Sequence, residues 1–270
     1  MAQQRQLVIA DQRDVTPQLR WLTLHAPELA RGAQAGQYLL VRCAEQGSYD
    51  PLLRRPLFIA AAEPALGQIG LLYEPSERGL VWLSRGRAGD TLDVIGPLGH
   101  PFVLDGRTRN LLLVGSGPGL AALLLLARAG AARGTVTLIA GADDSERLPP
   151  PFLLPGEVEY QTVPGLQLAD FKMPMAGSST QSAIYNLHAA ISWADQIFVA
   201  LPLEQLLALR DTIGRVKYRW ERGFASALLE GQIICGVGAC GVCAVQMRRG
   251  TRLLCADGPV FDLRDVGDAV

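Results

Sequence analysis

The run Asn110–Ala142, NLLLVGSGPGLAALLLLARAGAARGTVTLIAGA, decides the fold class. An apolar strand-length stretch leads into Gly115, Gly117 and Gly119. A helix-length apolar stretch from Leu120 to Ala129 follows, and then a second strand rich in β-branched residues. Strand, glycine turn, helix, strand is the grammar that opens an α/β domain. Closely spaced glycines let backbone approach a phosphate, and the helix start offers free N–H groups to an anion. The third glycine of the G-x-G-x-x-G fingerprint is missing at its offset. The turn therefore reads equally well as a tight strand–helix connection whose glycines serve packing. Asp143 and Asp144 come after the second strand, where an acidic residue can bind a ribose hydroxyl or cap a turn.

Upstream of this run the pattern is β-rich. LVIADQRDV, LRWLTLHA, QYLLVRCA, PLFIAAAE, QIGLLYEP and DTLDVIGP are six short apolar or alternating runs. Gly, Pro and Asp separate them at the spacing of a small antiparallel barrel. GLVWLSRG, between the last two, reads as one short helix. LLRRPLFIA brings Arg54 and Arg55 to a strand entry fixed by Pro56, and a guanidinium fork there suits a diphosphate or simply a solvated edge.

Downstream, ADQIFVALP (Ala194–Pro202) reads as a later strand and LEQLLALRDTI as the helix after it. RLPPPFLLPG (Arg147–Gly156) is too proline-rich for a regular element and reads as a loop. Near the end stands CGVGACGVCAVQMRRGTRLLC, with Cys235, Cys240, Cys243 and Cys255. C-x4-C-x2-C with a distant fourth Cys is the plant-type spacing of a 2Fe–2S cluster. Two irons need four thiolates, three from a tight loop and one from a returning segment. Gly236, Gly238 and Gly241 let that loop wrap sulfides and aim N–H groups at them. Zinc usually takes paired C-x2-C knuckles, which this spacing fits poorly. Plain thiols or a disulfide are the remaining readings, and Cys43 stands apart as a small buried hydrophobe.

The chain has 270 residues and a formal net charge of −1. That length suits two domains and a small module, and the charge gives no case for a nucleic-acid partner. The longest apolar stretch is shorter than the roughly 20 residues of a membrane span, so a cytoplasmic protein with no membrane span is expected. His25, His100 and His188 are scattered, and no acid–base pair for substrate chemistry is visible.

Taken in order, RRPL, a strand ending in LLY, GPLG, the strand–glycine turn–helix, CGVGAC-GVC and CADGPVFD resemble one family along nearly the whole chain. It is the electron-transfer subunit of the NAD-linked (type B) dihydroorotate dehydrogenase, within the ferredoxin-reductase superfamily. The most specific block is Cys235–Asp262. The resemblance implies a β plus α/β fold. A six-stranded antiparallel FAD-binding barrel would span 1–105, a Rossmann-like nicotinamide-binding domain 106–222 and a 2Fe–2S module 223–270. It also implies a partner, an FMN-containing catalytic subunit that oxidises dihydroorotate in pyrimidine biosynthesis, assembled as a heterotetramer. Electrons would pass from FMN to cluster to FAD to NAD. Related readings are a flavin and iron–sulfur subunit of another complex, of hydrogenase or ferredoxin–NAD(P) oxidoreductase type, or a non-catalytic subunit.

Carried over by position, flavin contacts are implied for Arg55, Pro56, Leu57 and Phe58, for Leu72, Tyr73 and Glu74, and for Gly79 and Leu80. The cluster ligands would be the four cysteines, and nicotinamide phosphates would approach Gly115, Gly117 and Gly119. This chain departs from the family at Phe58, where a hydroxyl residue is usual, at Glu74, where a basic one is, and at Leu80, where Thr is. A carboxylate at Glu74 is expected to repel a diphosphate. Ala200-Leu201-Pro202 replaces the family's Cys-Gly-Pro beside the flavin, and MPMAGSSTQSAIYNLHAA replaces a glycine-rich acidic segment. Weakened or lost nicotinamide binding is the expectation.

Overall fold

The six short apolar runs become the six strands of a closed barrel in the computed structural model, which describes residues 3–164 and 180–267. They are β1 (Gln3–Asp14), β2 (Arg20–His25), β3 (Tyr38–Val41), β4 (Arg55–Glu63), β5 (Gln68–Tyr73) and β6 (Thr91–Leu98). The order round the barrel is β1-β2-β5-β4-β3-β6, and every neighbouring pair is antiparallel. Strand β6 shows why: Leu92, Val94, Gly96 and Leu98 are buried in alternation with half-buried Asp93, Ile95 and Pro97, and Leu92 and Val94 face the barrel interior. Leu22, Leu24, Leu39, Val41, Ile59, Ile69 and Leu71 fill the interior. Two short helices, α1 (Pro27–Gly32) and α2 (Arg78–Leu83), close off the barrel connections.

The α/β domain follows as β7 (Asn110–Ser116), α3 (Leu120–Ala131), β8 (Thr135–Ala142), β9 (Val158–Pro164), α4 (Thr180–Trp193), β10 (Gln196–Ala200) and α5 (Leu203–Val216). The segment from residue 223 adds β11 (Ala225–Leu228), the hairpin β12 (Ala244–Met247) and β13 (Gly250–Leu253), and β14 (Val260–Asp262). The sheet order is β14-β11-β10-β7-β8-β9. All pairs are parallel except β11 with β14. The cysteine-bearing segment thus supplies two strands of this sheet. Strand order reverses between β7 and β10, the position where open α/β sheets leave a crevice at the carboxyl ends of their strands.

Helix α3 is apolar nearly all round because it is covered on two sides. Leu120, Leu123, Leu124 and Leu126 are buried in the sheet's core, while Leu125 packs on the barrel's core. A helix hydrophobic on every face needs this kind of enclosure. Arg128 near its end pairs with Glu63 of β4. Phe102, just after the barrel, packs on Phe198 of β10 with ring centroids 5.0 Å apart. The proline-rich stretch is more ordered than a plain loop. Short 3-10 turns form at Ser145–Arg147 and Pro151–Leu153, and Tyr160 Oη donates to the Pro149 carbonyl at 2.9 Å. Residues 173–179 of the replaced segment lie outside the described residues, whereas Thr180 begins α4. No helix among the described residues is long and apolar enough to cross a membrane.

Candidate functional site

A cavity of about 490 Å³ opens between the barrel and the carboxyl ends of the parallel strands. Its barrel wall is Pro56, Leu57 and Phe58 of β4, Leu72 and Tyr73 of β5, Glu74 just beyond, and Leu80 of α2. Its α/β wall includes Ser116, Gly117 and Pro118 of the glycine turn, Asp143 after β8, and Pro202 before α5. Eight of the twelve positions implied for flavin and nicotinamide line this one space: Pro56, Leu57, Phe58, Leu72, Tyr73, Glu74, Leu80 and Gly117. Tyr73 Oη is buried and has no hydrogen-bond partner among the described residues. Burial pushes its pKa up, so it keeps its proton as a donor.

Arg55, Gly79, Gly115 and Gly119 do not line the cavity. Arg55 pairs with Glu77 and donates to the Leu53 carbonyl at 2.6 Å. Gly79 lies against that pair, where a Cβ would come 3.2 Å from Cys43 Cβ. Cys43 is fully buried, and burial pushes its thiol up to about 12. Glu74 does not stand alone before the cavity: Arg147 Nη2 lies 3.0 Å from Glu74 Oε1. The repulsion expected from Glu74 is thereby offset by a guanidinium from the other domain. Arg147 is the only cation on the cavity wall among the described residues, and its Nε donates to Gln18 Oε1 at 2.9 Å. Gln18 also binds Asp144, and Thr16 Oγ1 donates to the Glu146 carbonyl. No local sequence signal marks Arg147, which opens the proline-rich stretch.

The glycine turn divides its work. Gly117 has φ +65 and faces the cavity. Gly115 is a packing glycine, since a Cβ there would come 2.6 Å from Leu123 Cδ1 and 2.9 Å from Leu120 Cδ2. The Gly119 N–H donates to Glu230 Oε1 at 2.6 Å. A side-chain carboxylate therefore already holds an amide at the start of α3, where an external anion would bind. Surrounding protein desolvates this carboxylate and pushes its pKa up to about 7, against the opposing Gly119 bond. Solvent still reaches Glu230, which is exposed as a residue, so part of that penalty is relieved. It sits in a groove shared with Pro202, Leu203, Leu229, Val245 and Gln246.

The cysteines gather beside β3 and β6, with Cys243 and Cys255 in the same buried cluster as Tyr38 and Phe58. Gly236 and Gly238 have φ +73 and +76, which lets the loop turn back under its own sulfurs. A Cβ at Gly236 would come 2.8 Å from Leu98 Cδ1 and 2.9 Å from Leu40 Cδ1, so the loop is seated on the barrel. Cys243 Sγ and Cys255 Sγ are 3.3 Å apart, and the Gly238 N–H donates to Cys255 Sγ at 3.2 Å. N–H groups of Val237 and Cys240 bring the Cys235 pKa down to about 6, with further help from the Cys240 side chain and the Ala239 N–H. Burial, then Cys243, push Cys255 up to about 12. The thiols thus form two pairs, Cys235 with Cys240 and Cys243 with Cys255. No three such groups among the described residues close on a single ion position.

Comparison with known proteins agrees with this layout. Residues 230–267 match the iron–sulfur cluster binding domain of dihydroorotate dehydrogenase B. The dihydroorotate dehydrogenase B (NAD(+)) electron transfer subunit of Shouchella clausii (strain KSM-K16) is 33% identical, over 97% of this chain and 98% of the relative. The corresponding subunit of Geobacillus thermodenitrificans (strain NG80-2) is 30% identical, over 98% and 99%. In fold, the chain is similar to a solved NADH-dependent reduced ferredoxin-NADP oxidoreductase. That match has a TM-score of 0.71 at 24% identity, over 97% of this chain and 89% of the other. With a closed barrel, a Rossmann-like sheet and a cysteine segment in one order, the chain belongs to the family of electron-transfer subunits of dihydroorotate dehydrogenase B.

Proposed function

We propose that the chain carries electrons from an FMN-containing dihydroorotate dehydrogenase catalytic subunit to NAD, through a 2Fe–2S cluster and FAD. The setting would be a heterotetramer in pyrimidine biosynthesis. The observation that carries the proposal is the pairing of the thiols. Two pairs, one of them at 3.3 Å, suit two irons with two thiolates each better than one four-coordinate ion. Cys235, Cys240, Cys243 and Cys255 are the proposed ligands. N–H groups already aimed at Cys235 and Cys255 would stabilise thiolate charge.

FAD is assigned to the interdomain cavity. Its barrel wall offers flat apolar residues, Tyr73 offers an unpartnered buried hydroxyl, and Gly117 a backbone free of side chain. In this division, 1–105 holds flavin, 106–222 the nicotinamide nucleotide and 223–270 the cluster. When bound, the cofactors supply the one- and two-electron chemistry. The chain's own residues position them, exclude water and set the charge around them. His25 lies on β2, His188 on α4 and His100 in the connection between β6 and β7, a scatter that fits substrate chemistry residing on the partner.

Cofactor content after anaerobic purification tests the proposal. About two irons and one FAD per chain are expected, with bleaching by dihydroorotate only when the catalytic subunit is present. Zinc in place of iron, or iron with no flavin, would overturn it.

A further inference from the structure

Tyr38 begins β3 and is fully buried, at 0% exposure. Its hydroxyl has no hydrogen-bond partner among the described residues. A buried O–H left without an acceptor loses its water bonds and gains nothing in return, so a fully enclosed phenol implies an acceptor that completes the site.

The surroundings of Tyr38 narrow the acceptor. On one side its ring meets Phe58 edge-on, with centroids 6.0 Å apart, and Phe58 lines the interdomain cavity. On another, its register partner Leu98 and its near neighbour Leu40 press on Gly236 of the cysteine loop. On a third, the ring edge comes against the segment that follows Cys255: a Cβ at Gly99 would lie 2.9 Å from Tyr38 Cε1 and 2.6 Å from Pro259 Cδ, and Tyr38 shares one buried cluster with Cys243 and Cys255. A phenol O–H is a donor as it stands. Among the described residues no carboxylate, amide or carbonyl accepts its hydrogen bond.

We propose that Tyr38 Oη donates a hydrogen bond to a sulfur of the iron–sulfur centre and raises that centre's reduction potential. This inference rests on the iron–sulfur reading of the cysteine segment. Reduction adds negative charge to the cluster and its sulfurs. A fixed donor aimed at a sulfur stabilises the reduced form more than the oxidised one. Tyr38 thus acts as a positioning and tuning residue between the flavin wall and the cluster. The sequence alone hid it, because an aromatic at the start of a barrel strand reads as core.

The test uses the full chain, loaded with iron anaerobically, and an EPR-monitored redox titration of the protein and of Tyr38→Phe. Phenylalanine keeps the ring contact with Phe58 and removes only the hydroxyl. The expected result is equal iron content with the midpoint moved to lower potential in Tyr38→Phe. Superimposable titrations would overturn the inference. Should the variant fail to take up iron, the unsubstituted chain decides, grown on ring-deuterated tyrosine. Pulsed EPR of its reduced cluster should then show a deuteron coupling from a tyrosine ring, and none would overturn the inference. A chain that yields no 2Fe–2S signal at all sinks the iron–sulfur reading itself, and this inference with it.

Discussion

Arg147 Nη2 and Glu74 Oε1 meet at 3.0 Å on the wall of the interdomain cavity, joining the turn after β8 to the end of β5. Both side chains are partly open to solvent, so the pair contributes about 0–1 kcal/mol to folding. Its larger consequence is electrostatic. Without Arg147 the cavity would present Glu74 and Asp143 uncompensated to a diphosphate. We predict that Arg147→Ala weakens FAD binding by about ten-fold, roughly 1.4 kcal/mol, with little change in melting temperature. The exchange Glu74→Arg with Arg147→Glu should recover most of the loss. Flavin fluorescence titration of the apoprotein measures both. Unchanged affinity in Arg147→Ala would remove Arg147 from the flavin site.

Glu230 makes the nicotinamide side dependent on pH. Its pKa stands at about 7, above the ordinary carboxylate range, so the folded state holds its proton more tightly than the unfolded one. Stability from that proton is complete at low pH, falls as pH rises from about 4.5 towards 7, and is gone above 7. Glu230→Gln cannot ionise and can still accept from Gly119. Its melting temperature should exceed that of the parent by a margin that widens from pH 5 to 7 and then stays level. The charged carboxylate also competes with nucleotide phosphate for the Gly119 N–H. NADH should therefore bind Glu230→Gln several-fold more tightly than the parent at pH 8, with the two converging near pH 5.5. A pH-independent difference would show that the carboxylate's charge is not what limits binding.

The barrel was legible because each strand writes its own burial at period two, as Leu92, Val94 and Leu98 do in β6. The α/β opening was legible for a similar reason: the glycines stand between two apolar elements of different period. Strands β11 and β14 were not. They are four and three residues long, and they pair with each other across the whole cysteine segment. Of the cavity, the barrel wall could be read from strand positions. Arg147 and Glu230 could not, since each reaches its place only when distant segments close around it.

The glycine turn gives a prediction that separates packing from binding. Gly115→Ala would push a methyl into Leu123 and Leu120, and overpacking of this kind costs about 1–3 kcal/mol. Gly117→Ala places an L side chain at φ +65, a strain of about 1–2 kcal/mol, and adds a methyl to the cavity wall. Both variants should melt lower than the parent. Only Gly117→Ala should lose affinity for FAD or NADH beyond its loss of stability, as ligand titrations at a temperature well below either transition will show. Equal ligand affinities in the two would make the whole turn a packing device.

The cysteine pairs predict how single losses differ. Cys240 is exposed and Cys255 buried, yet each belongs to a different pair. Under a two-iron reading, Cys240→Ser and Cys255→Ser should each abolish or strongly alter the visible iron–sulfur spectrum while leaving FAD content intact. Their metal-free forms should part company. Serine at Cys240 exchanges one solvated group for another and should change stability by no more than about 0.5 kcal/mol. Serine at Cys255 puts a hydroxyl among buried apolar groups beside Cys243 and should cost about 1–3 kcal/mol. Denaturant melts of the iron-free proteins read that difference without reference to activity. Flavin lost together with iron in the Cys240 variant would mean that the cluster holds the cavity in shape, because Cys240 is exposed and is not among the residues that line the cavity.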